Sequence, residues 1–219
     1  MGLLDDLKRQ ADQVRTQENL QRTVKDENIR VVESAMARTF QYLMELFKQL
    51  GVLKPTNPVA YAIPGVGDLA NLQFTDSHVD YRKKKIGDKD YYDRIEFYLK
   101  WSLPQNLVVE RDMPPAAKKV RDMLWSVNVK FSEEEIKGPQ GTVLKTRFTI
   151  PSAMVTEAEI RADHNERRIL FSGKNLLRLG RDDFVIPADD LNDSSLDEFA
   201  KVLIGQPSGF RRFRTVLPR

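Results

Sequence analysis

The sequence predicts an α+β protein, a long N-terminal helical arm followed by a curved, mainly antiparallel β-sheet domain with two or more packed helices. Three observations carry this reading. Neither glycine nor proline stands between Leu3 and Leu50, and Gly51 and Pro55 follow, so the whole stretch can stay helical. Downstream, several runs alternate apolar and polar residues between Gly, Pro, Asp and Asn punctuation, the signature of half-buried strands. Those strand signals fall into two groups, with one helical pattern between them and another after them, which is the order of an α+β body.

The arm, residues 1–54, would reach roughly 70 Å if fully helical at about 1.5 Å per residue, so it needs a surface to lie against. Heptads counted from Leu3 give the seam Leu3, Leu7, Gln10, Val14, Gln17, Gln21, Val24, Asn28, Val31 and Ala35. Gln and Asn at seam positions lower stability while fixing register and oligomeric state, so this half reads as a weak coiled coil or a helix that awaits a partner. Past Val31 the pattern widens to Val32, Met36, Phe40, Leu43, Met44, Phe47 and Leu50, a stripe suited to docking on a globular core. Thr23 followed by Asp26 has the form of a capping box, which is consistent with a break into two helices near residue 22. Leu3, Leu7, Val14 and Val24 are the candidate assembly residues, through which the chain associates with itself or with another protein. Folding of the whole arm onto its own body is the alternative.

Residues 55–205 form the expected antiparallel-sheet domain. Pro55, Pro58, Pro64, Gly65 and Gly67 mark an irregular connection into it. A hairpin follows, with His78–Lys85 turning at residues 86–90 into a strand whose Ile95, Phe97, Leu99 and Trp101 share one face while Arg94, Glu96, Tyr98 and Lys100 share the other. Leu107–Val109 reads as a short strand, and Pro114 and Pro115 open a helix that turns Val120, Met123 and Leu124 inward. The second group of strands is expected at Val127–Phe131, at Val143–Ile150 after the turn Gly138–Gly141, at residues 153–163, and at Ile169–Phe171 after a turn at His164–Glu166. Ser194 or Ser195 caps a closing helix carrying Leu196, Phe199, Ala200 and Leu203, with Asp197 and Glu198 toward its positive end and Gly205 ending it. Residues 206–219 form a basic-aromatic tail.

The chain has no cysteine, which removes disulfides, thiolate-ligated metals and thiol nucleophiles together, and the expected location is the cytoplasm. Asp5 and Asp6 interrupt the apolar start, and no later run approaches the length of a membrane span. With 35 basic and 32 acidic residues the net charge is +3, so partners cannot be argued from overall charge.

No motif commits the chain to a reaction. Gly65-Val66-Gly67-Asp68-Leu69-Ala70 matches the spacing of a dinucleotide loop, yet the helix that must follow to hold a pyrophosphate is not signalled, so it reads as a turn. Asp182, Asp183, Asp189, Asp190 and Asp193 read as capping and solvated carboxylates, and a calcium loop from Asp190 would find Ser195 and Lys201 where Gly and Glu are required. His78 and His164 have no spacing of a metal pair or a triad. No catalytic residue, cofactor or metal ligand is therefore named.

The expectation is a non-enzymatic protein-interaction or scaffold module working through its N-terminal helix. A second reading is nucleic-acid or polyanion binding by the interleaved basic and aromatic residues, with Arg82, Lys83, Lys84 and Lys85 on the hairpin and Arg211, Arg212 and Arg214 in the tail as the anion-binding candidates. A third is an apolar ligand held in a curved sheet against Met154, Ala158, Ile160 and Ala162.

Overall fold

One helix organises the molecule. In the computed structural model, which describes residues 2–215 except for the side chains of Leu3, Asp5 and Asp6, helix α1 (Leu3–Leu53) runs for 51 residues without a break. Its apolar stripe is buried from Ile29 onward, through Val32, Ala35, Met36, Leu43, Phe47 and Leu50, at the three- and four-residue steps that keep one helical face on the core. The break expected near residue 22 is absent. Thr23 Oγ1 donates to the Asn19 carbonyl four residues back at 3.0 Å, a bond made inside a helix rather than at its start. Gly51 does not end the helix either; Lys54 does, in the left-handed region at φ 44°, with its N–H on the Leu50 carbonyl and Pro55 preventing continuation.

The body contains an all-antiparallel sheet of six strands in the order β11-β10-β9-β8-β4-β3, built from β3 (Gln73–Ile86), β4 (Lys89–Ser102), β8 (Ala153–Asp163), β9 (Arg168–Lys174), β10 (Arg181–Pro187) and β11 (Arg214–Thr215). The β3–β4 hairpin closes through Gly87 and Asp88, with Gly87 at the positive φ of 63° that such a tight turn needs. Register breaks mark two bulges in this hairpin, one at Thr75 on β3 and one at Asp93 on β4, which locally strengthen its twist. The expected alternation holds on β4 and β8: Ile95, Phe97, Leu99 and Trp101 are buried, and opposite them lie Ile160, Ala158, Thr156 and Met154.

The remaining strands leave this sheet. β5 (Leu107–Arg111), β6 (Ser132–Lys137) and β7 (Val143–Ile150) make a three-stranded sheet in the order β5-β7-β6, and β1 (Tyr61–Ile63) pairs only with β2 (Gly67–Leu69). Val127–Phe131, expected as a strand, is instead the turn and coil after helix α2 (Pro114–Ser126); the strand begins at Ser132. Apolar alternation there reflects Val127, Val129 and Phe131 packing against the core from a loop.

Helix α3 (Asp193–Leu203) closes the core with Leu196, Phe199, Val202 and Leu203 buried. Its cap is Asn192 rather than Ser194 or Ser195. Asn192 Oδ1 accepts from the Ser195 N–H at 3.1 Å, and Ser195 Oγ accepts from the Asn192 N–H at 2.9 Å, which completes a reciprocal box. Gly205 follows at φ 74°, where a side-chain carbon would lie 2.5 Å from Asn57 Oδ1. Rings fill the space between helices and sheet: Phe199 packs on Phe171 at 4.9 Å and on Phe210 at 5.0 Å, and Phe47 on Phe97 at 5.4 Å.

Candidate functional site

The helix α1 divides into a docked half and a free half. Among the described residues four hydrogen bonds hold the docked half: the Asn28 amide donates to the Asn165 carbonyl at 3.1 Å, Arg38 to the Leu191 carbonyl at 3.2 Å, Tyr42 to Asp197 at 2.6 Å, and the Tyr92 N–H to Glu33 at 2.7 Å. Burial together with the Asp197 carboxylate pushes the Tyr42 hydroxyl pKa well above its ordinary value. Before residue 27 every described side chain is exposed, Leu7, Val14 and Val24 among them at 52–59%. The side chain of Leu3 lies outside the described residues. Leu4 and Leu20, which the heptad count passes over, are exposed at 65% and 62%.

Helical geometry puts Leu4, Leu7, Ala11 and Val14 on the face that, further along the same helix, Val32, Met36, Leu43 and Phe47 turn to the core. The free stripe is thus a continuation of the docking stripe with no body beneath it. Nearer the body, and about a third of a turn round the helix from that stripe, Leu20, Val24 and Asn28 line a shallow hollow of about 370 Å³ against Asn165.

The two basic segments do not converge. β3 and β11 are opposite edges of the six-stranded sheet, roughly 24 Å apart at about 4.8 Å per strand. On the hairpin, Arg82 lies 3.6 Å from Glu96, Lys84 lies 2.9 Å from Asp93, and Lys83 stacks over the Tyr92 and Tyr81 rings at 5.0 and 5.8 Å. In the tail Arg214 is not a free anion donor: it pairs with Asp182, whose carboxylate is buried in the core face of β10. Arg212 rests on the Phe213 ring at 4.6 Å and Arg211 is exposed, while Phe210 is buried and pins the segment among Phe171, Phe184 and Phe199.

The solvent face of the large sheet is an ion-pair lattice. Strand register aligns Asp80, Glu96, Glu159, Ser172 and Asp183 in one row, and Arg82, Arg94 and Arg161 in the next. Arg94 therefore bridges Glu96 at 3.5 Å and Glu159 at 3.4 Å, and Arg161 meets Glu159 at 2.8 Å. His78 and Tyr98 border a groove of about 790 Å³ on this face.

His164 lies elsewhere, at the end of β8 beside the Tyr91 ring. Burial, reinforced by Lys84, pushes its pKa down, against weaker opposite influences from Asp93 and Asp163.

The remaining candidates are structural. Gly65 to Ala70 lies in the β1–β2 hairpin, with no helix to receive a pyrophosphate. Asp189 is held by Arg167, which keeps its pKa below the usual carboxylate range. Among the described residues no group of three His, Asp or Glu side chains is placed to hold a metal, and no helix is long and apolar enough to cross a membrane. Met154, Ala158, Ile160 and Ala162 are buried on the core face of the sheet, within the core that α1 and α3 help to build. Comparisons with protein families, with curated proteins and with solved structures find no match to this chain.

Proposed function

We infer that this protein is a non-enzymatic interaction module whose free helical half pairs with the same segment of a second copy. The observation that carries the reading is the exposed apolar stripe Leu4, Leu7 and Val14, with the exposed Val24 about a third of a turn further round, on a helix whose other half is locked into the core. A lone helix of about 20 residues is only marginally stable in water, so the free half gains from a partner that covers this stripe.

Charge favours a second copy in antiparallel orientation. Two such helices running in opposite directions about Val14 set Asp5 and Asp6 of one beside Arg22 of the other, and Arg9 beside Glu18. Val14 then lies near the middle of the pair. Gln10, Gln17 and Gln21 on the seam keep the pairing weak and fix its register.

The absence of native cysteine makes a direct test simple. A Val14→Cys variant should form a disulfide-linked dimer readily under mild oxidation, since antiparallel pairing brings the two positions together. A Lys48→Cys control, on the exposed side of the docked half, should remain monomeric. Equal crosslinking at both positions, or none at Val14→Cys, would reject the antiparallel pair.

A further inference from the structure

A second feature is independent of the free helix. Where α1 crosses the β3–β4 hairpin and the end of β8, a cleft of about 510 Å³ opens, walled by Lys25 from the helix, Lys84, Lys85 and Arg94 from the hairpin, and Arg161 and His164 from β8 and the turn after it. Five cations face two carboxylates, Asp93 and Asp163. Both carboxylates are already engaged, Asp93 by Lys84 at 2.9 Å and Asp163 by Arg168 at 2.9 Å and the Glu166 N–H at 3.2 Å. Arg94 and Arg161 share Glu159. Among the described residues Lys25 and Lys85 have no carboxylate partner.

His164 is only 6% exposed, and neither ring nitrogen has a hydrogen-bond partner or access to solvent. A neutral imidazole carries one N–H that must be donated somewhere, and buried donors are almost always paired. Both nearby carboxylates point to other groups, so this N–H is left beside a cleft with surplus positive charge. The element that would complete both features is an oxyanion.

We propose that this cleft binds a phosphate group, with Lys25 and Lys85 balancing its charge and His164, after rotation of its ring, donating from the rear wall. Such a ligand would tie α1 to the hairpin tip and the β8–β9 turn at the point where the free half of the helix begins. The same chemistry fits inorganic phosphate and a small phosphate ester, so the test separates them.

The chain has two histidines, so imidazole nitrogen signals from His78 and His164 can be followed by NMR in the full-length protein. Sodium phosphate and glycerol 3-phosphate would each be titrated at fixed pH, with sodium chloride holding ionic strength constant. The His164 signals should move saturably while those of His78 stay in place. The tighter of the two ligands identifies free ion or ester, and binding of either supports the site. Lys85→Ala, a change on the exposed hairpin that leaves the core intact, should weaken affinity about fivefold or more, because charge-assisted bonds dominate such sites. His164→Gln should weaken it as well, with its thermal unfolding compared alongside to confirm a folded protein. Absence of a saturable shift at millimolar ligand, an equal response to chloride, or unchanged affinity in Lys85→Ala would overturn the proposal.

Discussion

The same substitution at two leucines of one helix should have opposite consequences. Leu43 is completely buried, on the face shared with Met36, Phe47 and Leu50, whereas Leu20 is 62% exposed. Removing a fully buried leucine side chain forfeits about 1.5–3 kcal/mol of transfer free energy, and the cavity left behind raises the loss to about 3–4 kcal/mol in a core that relaxes partly. At Leu20 there is little buried area to lose, and alanine is the better helix former, so the change should stay within about 0.5 kcal/mol. Urea unfolding at low protein concentration, where association is negligible, measures both. In a chain of this size the Leu43→Ala loss corresponds to a fall in Tm of roughly 6–16 °C. A Leu43→Ala cost under about 1 kcal/mol, or a Leu20→Ala cost matching it, would refute the division of α1 into a docked and a free half.

Two further outcomes are expected. As pH falls below about 6.5, the unfolded chain takes up a proton at residue 164 that the folded protein accepts only at lower pH, because burial depresses the His164 pKa. Stability should therefore decline toward acid with a slope of up to about 1.4 kcal/mol per pH unit, and urea titrations at several pH values should find this slope reduced in His164→Gln. Among the described residues Arg214→Ala leaves the buried Asp182 carboxylate with only Arg178, 3.8 Å away, as a cation. It should cost about 2–3 kcal/mol, less than a fully buried pair because Arg214 itself is half exposed, and a chemical-denaturation shift near zero would contradict that pairing.

Periodicity made much of the fold legible in the sequence. The stripe from Val32 to Leu50, the alternation on β4 and β8, and the apolar face of α3 each depend on local spacing, which is what a sequence displays directly. Partition of the strands was not legible, because β7 pairs with β5 and β6 while β8 crosses to β4, a choice made by tertiary packing. Val127–Phe131 misled for the same reason: apolar residues in a loop over the core alternate as a strand does. Thr23 looked like a cap because the motif specifies side chains but not the backbone, and its hydroxyl bonds backward instead.

Electrostatic pairing was the least visible layer. Arg82 and Lys84 meet Glu96 and Asp93 only through strand register, and Arg214 reaches Asp182 across more than thirty residues of sequence. A basic run in a sequence shows no such partners. Nor did the sequence signal His164, since its isolation arises from three elements meeting around one ring. The exposed stripe, by contrast, was readable at Leu7, Val14 and Val24, while Leu4 and Leu20 fell between heptad positions.

The most direct measurement is the light-scattering mass of the full-length protein beside a version that begins at Thr23. Pairing through the free half of α1 predicts a mass near twice the 25.3 kDa chain for the first and a single-chain mass for the second. The truncated protein should keep its folding cooperativity, since burial along the helix begins at Ile29. A monomeric full-length protein, or a dimer that survives the truncation, would contradict the assignment of self-association to this helix.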